Sequence, residues 1–105
     1  MEIIETSIFT KQVLEHLTDE EYLQIQKALI LRPDIGSVIK KSGGLRKLRW
    51  SYGTKGKRGG CRIIYYWYKT EDEIYMLYLY PKNEKVDLSE SELDTLRAVV
   101  ERELK

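Results

Sequence analysis

A chain of 105 residues, 42% hydrophobic and 33% charged, is long enough for one compact domain and too short for two of ordinary size, so residues 1–105 are expected to form one unit. No run approaches the roughly 18 to 20 apolar residues of a membrane span, and Met1-Glu2-Ile3-Ile4-Glu5 lacks the basic lead-in of an export signal. With Cys61 the only cysteine and His16 the only histidine, an internal disulfide is impossible and a zinc site would need carboxylates almost throughout; the expectation is a protein of the reduced cytosol, without metal or cofactor.

The net charge of +1 conceals a segregation. Between Ile35 and Thr70 lie ten basic residues (Lys40, Lys41, Arg46, Lys47, Arg49, Lys55, Lys57, Arg58, Arg62 and Lys69) and no Asp or Glu. Soluble surfaces normally intersperse both signs. A block of one sign predicts a positive end or face on the folded domain, for which a polyanion is the usual partner.

In chain order, Glu2 to Phe9 carries Ile3, Ile4, Ile8 and Phe9 in a β-permissive run and predicts a first strand. Lys11 to Leu17 suits a short helix through Val13, Leu14 and Leu17. Thr18-Asp19-Glu20-Glu21 is a capping box, and Tyr22, Ile25, Ala28 and Leu29 then recur at helical spacing until Pro33 and Gly36. The period changes at Gly43: Leu45 to Trp50 alternates as a strand with mixed faces, and residues 53–60 read as a basic, glycine-rich loop. Arg62 to Lys69 is β-branched and aromatic on both faces, as a central strand requires, and Thr70 to Glu73 turns it into Ile74 to Tyr80. After Pro81, a second capping box (Ser89 to Glu92) opens a helix with Leu93, Leu96, Val100 and Leu104 on one stripe, onto which Leu88 can staple. The expected fold is α+β: a mostly antiparallel sheet with helices packed on one face.

Several chemistries fit poorly. Nucleophilic catalysis would have to bring His16 to Cys61, and an exposed His16 with a half-buried structural Cys61 is the simpler expectation. Gly53 to Arg58 lacks the order of a phosphate-cradling nucleotide loop, and Glu71, Asp72 and Glu73 suit a solvated turn better than a metal cluster. One constellation is informative. In an antiparallel hairpin the start of one strand lies beside the end of its partner, so Arg62 should approach Tyr80, Pro81, Lys82 and Asn83, with Lys55, Lys57 and Arg58 entering from the loop.

Cations, a phenol and an amide around one concave spot suit a phosphodiester. Cleaving RNA without a metal requires deprotonation of the 2′-hydroxyl, stabilisation of charge on phosphorus and protonation of the leaving 5′-oxygen. Arg62 can offer two parallel donors to phosphate oxygens, Lys55 or Lys57 could act as base if neighbouring cations depress its pKa, and Tyr80 could move a proton or stack on a base.

Three stretches, Gly43-Gly44-Leu45-Arg46-Lys47-Leu48-Arg49, Gly56 to Tyr66, and Tyr80-Pro81-Lys82-Asn83-Glu84-Lys85 with Asp87-Leu88-Ser89, resemble the RelE/HigB superfamily of toxins over nearly the whole chain. The likeness is to the HigB-like branch, in which a Lys-Gly-Lys-Arg-Gly-Gly loop leads into the central strand and a Lys-Asn-Glu run follows the last one. The resemblance implies a RelE-like fold and a ribosome-dependent mRNA endonuclease that inhibits protein synthesis by cleaving translated mRNA. Carried over, Lys55 and Lys57 take the loop positions, Arg62 the strand position, and Tyr80, Lys82 and Asn83 the last group, with Arg46, Lys47, Arg49 and Arg58 binding RNA around them. Some relatives place a second arginine where this chain has Asn83, and others use histidines it lacks, so acid and base stay unassigned. The family also implies an antitoxin, usually HigA-like with a helix-turn-helix domain, and no direct DNA contact by the toxin. The tyrosine-rich strands and the terminal helix are candidate docking regions for it. The competing reading is a non-catalytic module that binds RNA or the ribosome through the same basic face; a third is a toxin whose activity has decayed.

Overall fold

Thr6 decides where the first strand stops. Its hydroxyl accepts from the Phe9 amide at 3.1 Å and caps a helix, so Ile8 and Phe9, expected in the strand, belong to α1 instead, because the cap satisfies amides a strand would have left to a neighbour. A computed structural model describes residues 1–51 and 60–103. In it β1 (Glu2–Glu5) precedes α1 (Ser7–His16) and α2 (Asp19–Leu31), then β2 (Ser37–Val38), β3 (Arg46–Ser51), β4 (Gly60–Tyr68), a 3-10 turn (Lys69–Glu71), β5 (Glu73–Pro81) and α3 (Glu90–Glu103). Both capping boxes form. The Thr18 amide donates to Glu21 at 2.8 Å and the Glu21 amide to the Thr18 hydroxyl at 3.0 Å, and Ser89 and Glu92 exchange the same bonds at 2.8 and 3.1 Å.

The five strands run in the order β1-β5-β4-β3-β2, antiparallel except for β1 beside β5. β5 outlasts β1, and α1 supplies partners for its bare edge: Gln12 accepts from the Leu79 amide at 2.7 Å and the Thr6 hydroxyl donates to the Leu77 carbonyl at 3.2 Å. Such a covered edge cannot recruit another strand.

Alternation along β4 sends Cys61, Ile63 and Tyr65 to one side, where Phe9 and Val13 of α1 and Ile25 and Leu29 of α2 meet them. Ile64 points to the other side and packs with Tyr75, Leu77, Tyr80, and Leu96 and Val100 of α3. The expectation that every helix shares one face is therefore corrected: α1 and α2 cover one face and α3 the other. β4 is apolar on both sides, and a strand of that kind needs cover on both. Between Ile64 (opposite Tyr78) and Tyr65 (opposite Met76) the register slips by one residue in β5. Leu77 and Tyr78 consequently both face α3, and the bulge restores the pattern so that Tyr80 lands on the α3 side.

Gly43 and Gly44 of the sequence motif turn the chain into β3 with φ of +75° and +101°. A side chain on Gly43 would also collide with the Arg97 side chain of α3, whose Nε lies 2.4 Å from where the Cβ would stand. The positive φ is the firmer requirement for glycine here, since the Arg97 side chain is flexible and can move.

Candidate functional site

Three strands bring a row of polar side chains to one level of the α3 face. Arg49 of β3 lies directly opposite Arg62 of β4, which lies opposite Tyr80 of β5. Neighbouring Cβ atoms in such a row stand about 4.5–5.5 Å apart. One step along, Lys47 is opposite Ile64 and on the same side as Arg49. Like charges face to face destabilise a sheet, so stability alone does not account for Arg49 beside Arg62.

The approach of Arg62 to Tyr80, Pro81, Lys82 and Asn83 is present: Cys61 pairs with Pro81, and the Lys82 amide donates to the Gly60 carbonyl at 2.8 Å. Lys82 and Asn83 are exposed on the turn that leaves β5. Arg62 is half-buried, one guanidinium nitrogen 3.4 Å from the Cys61 carbonyl. Lys55, Lys57 and Arg58 lie outside the described residues.

Arg46 separates from the group it was expected to join. The alternation that puts Lys47 and Arg49 on the α3 face sends Arg46 to the other. There its guanidinium donates to the carbonyls of Gly36 at 2.7 Å and Asp34 at 3.2 Å, and sits 6.0 Å from the centre of the Trp67 ring. Those contacts tie the loop after α2 to the sheet. The acid-free segment thus divides its described charges between both faces.

Tyr80 is 1% exposed, which closes the option of stacking its ring on a base. Its hydroxyl is 3.4 Å from the Val86 carbonyl, and the residue helps line a depression of about 270 Å³ together with Lys40, Lys47 and Asp87. Burial, followed by the charge of Asp87, raises the phenol's pKa above its ordinary value, against the opposing pull of Arg62 and Lys85. At neutral pH Tyr80 keeps its proton.

Asp87 belongs to the site, although its sequence neighbourhood gave it no role. Its carboxylate accepts a short hydrogen bond from Lys47 Nζ. That bond, then the charges of Lys47, Arg49 and Arg62, hold its pKa below the usual carboxylate range. The segment carrying it is pinned by Lys85, whose ammonium lies 2.7 Å from Glu92, the residue that also caps α3. No spacing rule links Asp87 to Lys47 forty residues away; only the α3 side of the sheet brings them together.

The other candidates stay apart from this face. Cys61 is fully buried in the first core, deeper than expected, and His16 sits in the last turn of α1, half-buried. Among the described residues no group of three or more His, Cys, Asp or Glu could hold a metal ion, and no helix is long and apolar enough to cross a membrane.

A family model described as the RelE toxin of the RelE/RelB toxin-antitoxin system matches residues 1–105. Among solved structures, the E. coli toxin RelE in its free state, as a variant with two arginines changed to alanine, aligns with a TM-score of 0.61 at 13% sequence identity, over 92% of this chain and 93% of that one. At that identity the structural likeness speaks for the fold: an α+β architecture around a mostly antiparallel five-stranded sheet.

Proposed function

The chain belongs to the RelE toxin family of toxin-antitoxin systems, and from that premise we propose that it is a HigB-like, ribosome-dependent endoribonuclease that cleaves translated mRNA in the cytoplasm and so halts protein synthesis. Its partners in this reading are the ribosome with its mRNA and a HigA-like helix-turn-helix antitoxin, through which alone it meets DNA. The observation that carries the reading is the row of Arg49, Arg62 and Tyr80, with Lys47 one step away.

Each residue has a task set by its surroundings. Arg62, flanked by Arg49, holds the non-bridging oxygens of the scissile phosphate with parallel donors, and both stabilise the charge that grows there as the 2′-oxygen attacks. The P–O5′ bond breaks and the 5′-oxygen must gain a proton. Tyr80, kept protonated by burial, serves as the donor to that side of the phosphate, while Lys55 or Lys57 takes the proton from the 2′-hydroxyl. Lys82 and Asn83, exposed beside the start of β4, bind the flanking backbone. No step calls for a metal.

Brief induction in bacteria, beside Arg62→Ala, with new 5′ ends mapped against the reading frame, tests this. Cuts within translated regions that vanish in the variant are the expected result; an equally active, folded Arg62→Ala would sink it. A second reading, a non-catalytic RNA or ribosome binder, draws on the absence of histidine from the described row and on the buried phenol. Growth arrest without new ends would favour it.

A further inference from the structure

A carboxylate sits where a phosphate would be expected. Asp87, on the connection from β5 to α3, is bonded to Lys47 and lies within the field of Arg49 and Arg62. Carboxylate and phosphate oxygens compete for the same donors, since both accept charge-assisted hydrogen bonds from ammonium and guanidinium groups. The two partners differ in their surroundings. The Lys47 side chain is only 17% exposed, fixed on the sheet, while that of Asp87 is 64% exposed and able to leave. Among the described residues Asp87 is also the only acid lining the depression beside Tyr80.

We propose that in the free protein Asp87 fills the anion position of the Lys47, Arg49 and Arg62 row, and that a phosphate group of bound RNA displaces it. This rests on reading the row as a phosphate site. Without an occupant the facing arginines repel each other, so an internal anion steadies the empty site and weakens its hold on any single stray phosphate. Asp87 then acts as a built-in competitor, which sets how strongly RNA must be held before the site opens.

Fluorescence anisotropy with a short labelled single-stranded RNA, at low salt, would compare the parent chain with Asp87→Asn, Arg62→Ala and Asp94→Asn. Asp94, exposed on α3, controls for the mere loss of one negative charge. Because exposed ion pairs contribute modestly, Asp87→Asn should bind about two- to five-fold more tightly, with Asp94→Asn like the parent and Arg62→Ala weaker. If Asp87→Asn binds no better than the parent while Arg62→Ala weakens, the competitor idea falls and the phosphate row stands. Equal gains from Asp87→Asn and Asp94→Asn would also overturn it. An unchanged Arg62→Ala would remove the phosphate row, and this proposal with it. In the parent itself, the side-chain carboxyl resonance of Asp87 should move on RNA addition; a resonance unmoved at saturation contradicts displacement without recourse to any variant.

Discussion

The two faces of one sheet have come to opposite ends. Under α1 and α2 the face is sealed: Phe9, Ile25, Leu29, Ile63, Ile74 and Met76 are each fully buried, and Arg46 is taken up by backbone carbonyls and an indole. Under α3 only part of the face is covered, and beyond the reach of Leu96 and Val100 the same strands present Lys47, Arg49 and Arg62. Adjacent residues of β3 therefore do opposite work. Since alternation along a regular strand such as β3 sends neighbours to opposite faces, a basic segment is not one basic surface. Its meaning lies in the parity of each position.

Breaking the sealed face should have the largest effect. Phe9→Ala removes a fully buried ring and should cost about 3–5 kcal/mol of stability, read from the midpoint of urea unfolding. On the open face, Arg62→Ala should leave that midpoint nearly in place and lower mRNA cleavage about 100-fold or more, the scale seen when one donor to a developing oxyanion is lost. The pair Arg46→Ala and Arg49→Ala sharpens the contrast between neighbours. Arg46→Ala, which strands two carbonyls, should destabilise by about 1–2 kcal/mol; Arg49→Ala should stay within about 0.5 kcal/mol but weaken cleavage.

The smallest effect belongs to the connection from β5 to α3. The pKa of Glu92 is lowered by the hydrogen bond from Lys85, then by that from the Ser89 amide. Its contribution is present above the unfolded carboxylate value and is lost as pH falls through the lower folded value. Glu92→Gln should thus lower the Tm slightly at neutral pH, with the difference from the parent fading in acid, as differential scanning calorimetry across pH would reveal.

Local signals read well from the sequence. Thr18 with Glu21 and Ser89 with Glu92 form the expected capping boxes because each needs only residues three apart. The hairpin brought Arg62 to the end of β5 for the same reason, but the turn alone, which pairs Tyr68 with Glu73, would set it opposite Leu79; the bulge puts Tyr80 there. What escaped was decided at a distance or by a local signal that overrode another. Thr6 ends β1 early by a cap whose effect competes with the β propensity of Ile8 and Phe9. The bulge at Leu77 and Tyr78 carries no glycine to announce it, since both side chains suit either face. Leu14, placed on a core stripe by spacing, is 76% exposed because α1 turns its opposite side to the sheet. Asp87 joins the site only through the tertiary position of the β5 to α3 connection.

The most direct test of the account uses purified ribosomes halted on a defined codon, with cleavage of the bound mRNA timed for the parent, Arg46→Ala and Arg49→Ala at equal concentrations of folded protein. The account predicts parental cleavage by Arg46→Ala and slowed cleavage by Arg49→Ala. Slowed cleavage by Arg46→Ala with an unaffected Arg49→Ala, or no cleavage by the parent, would contradict it.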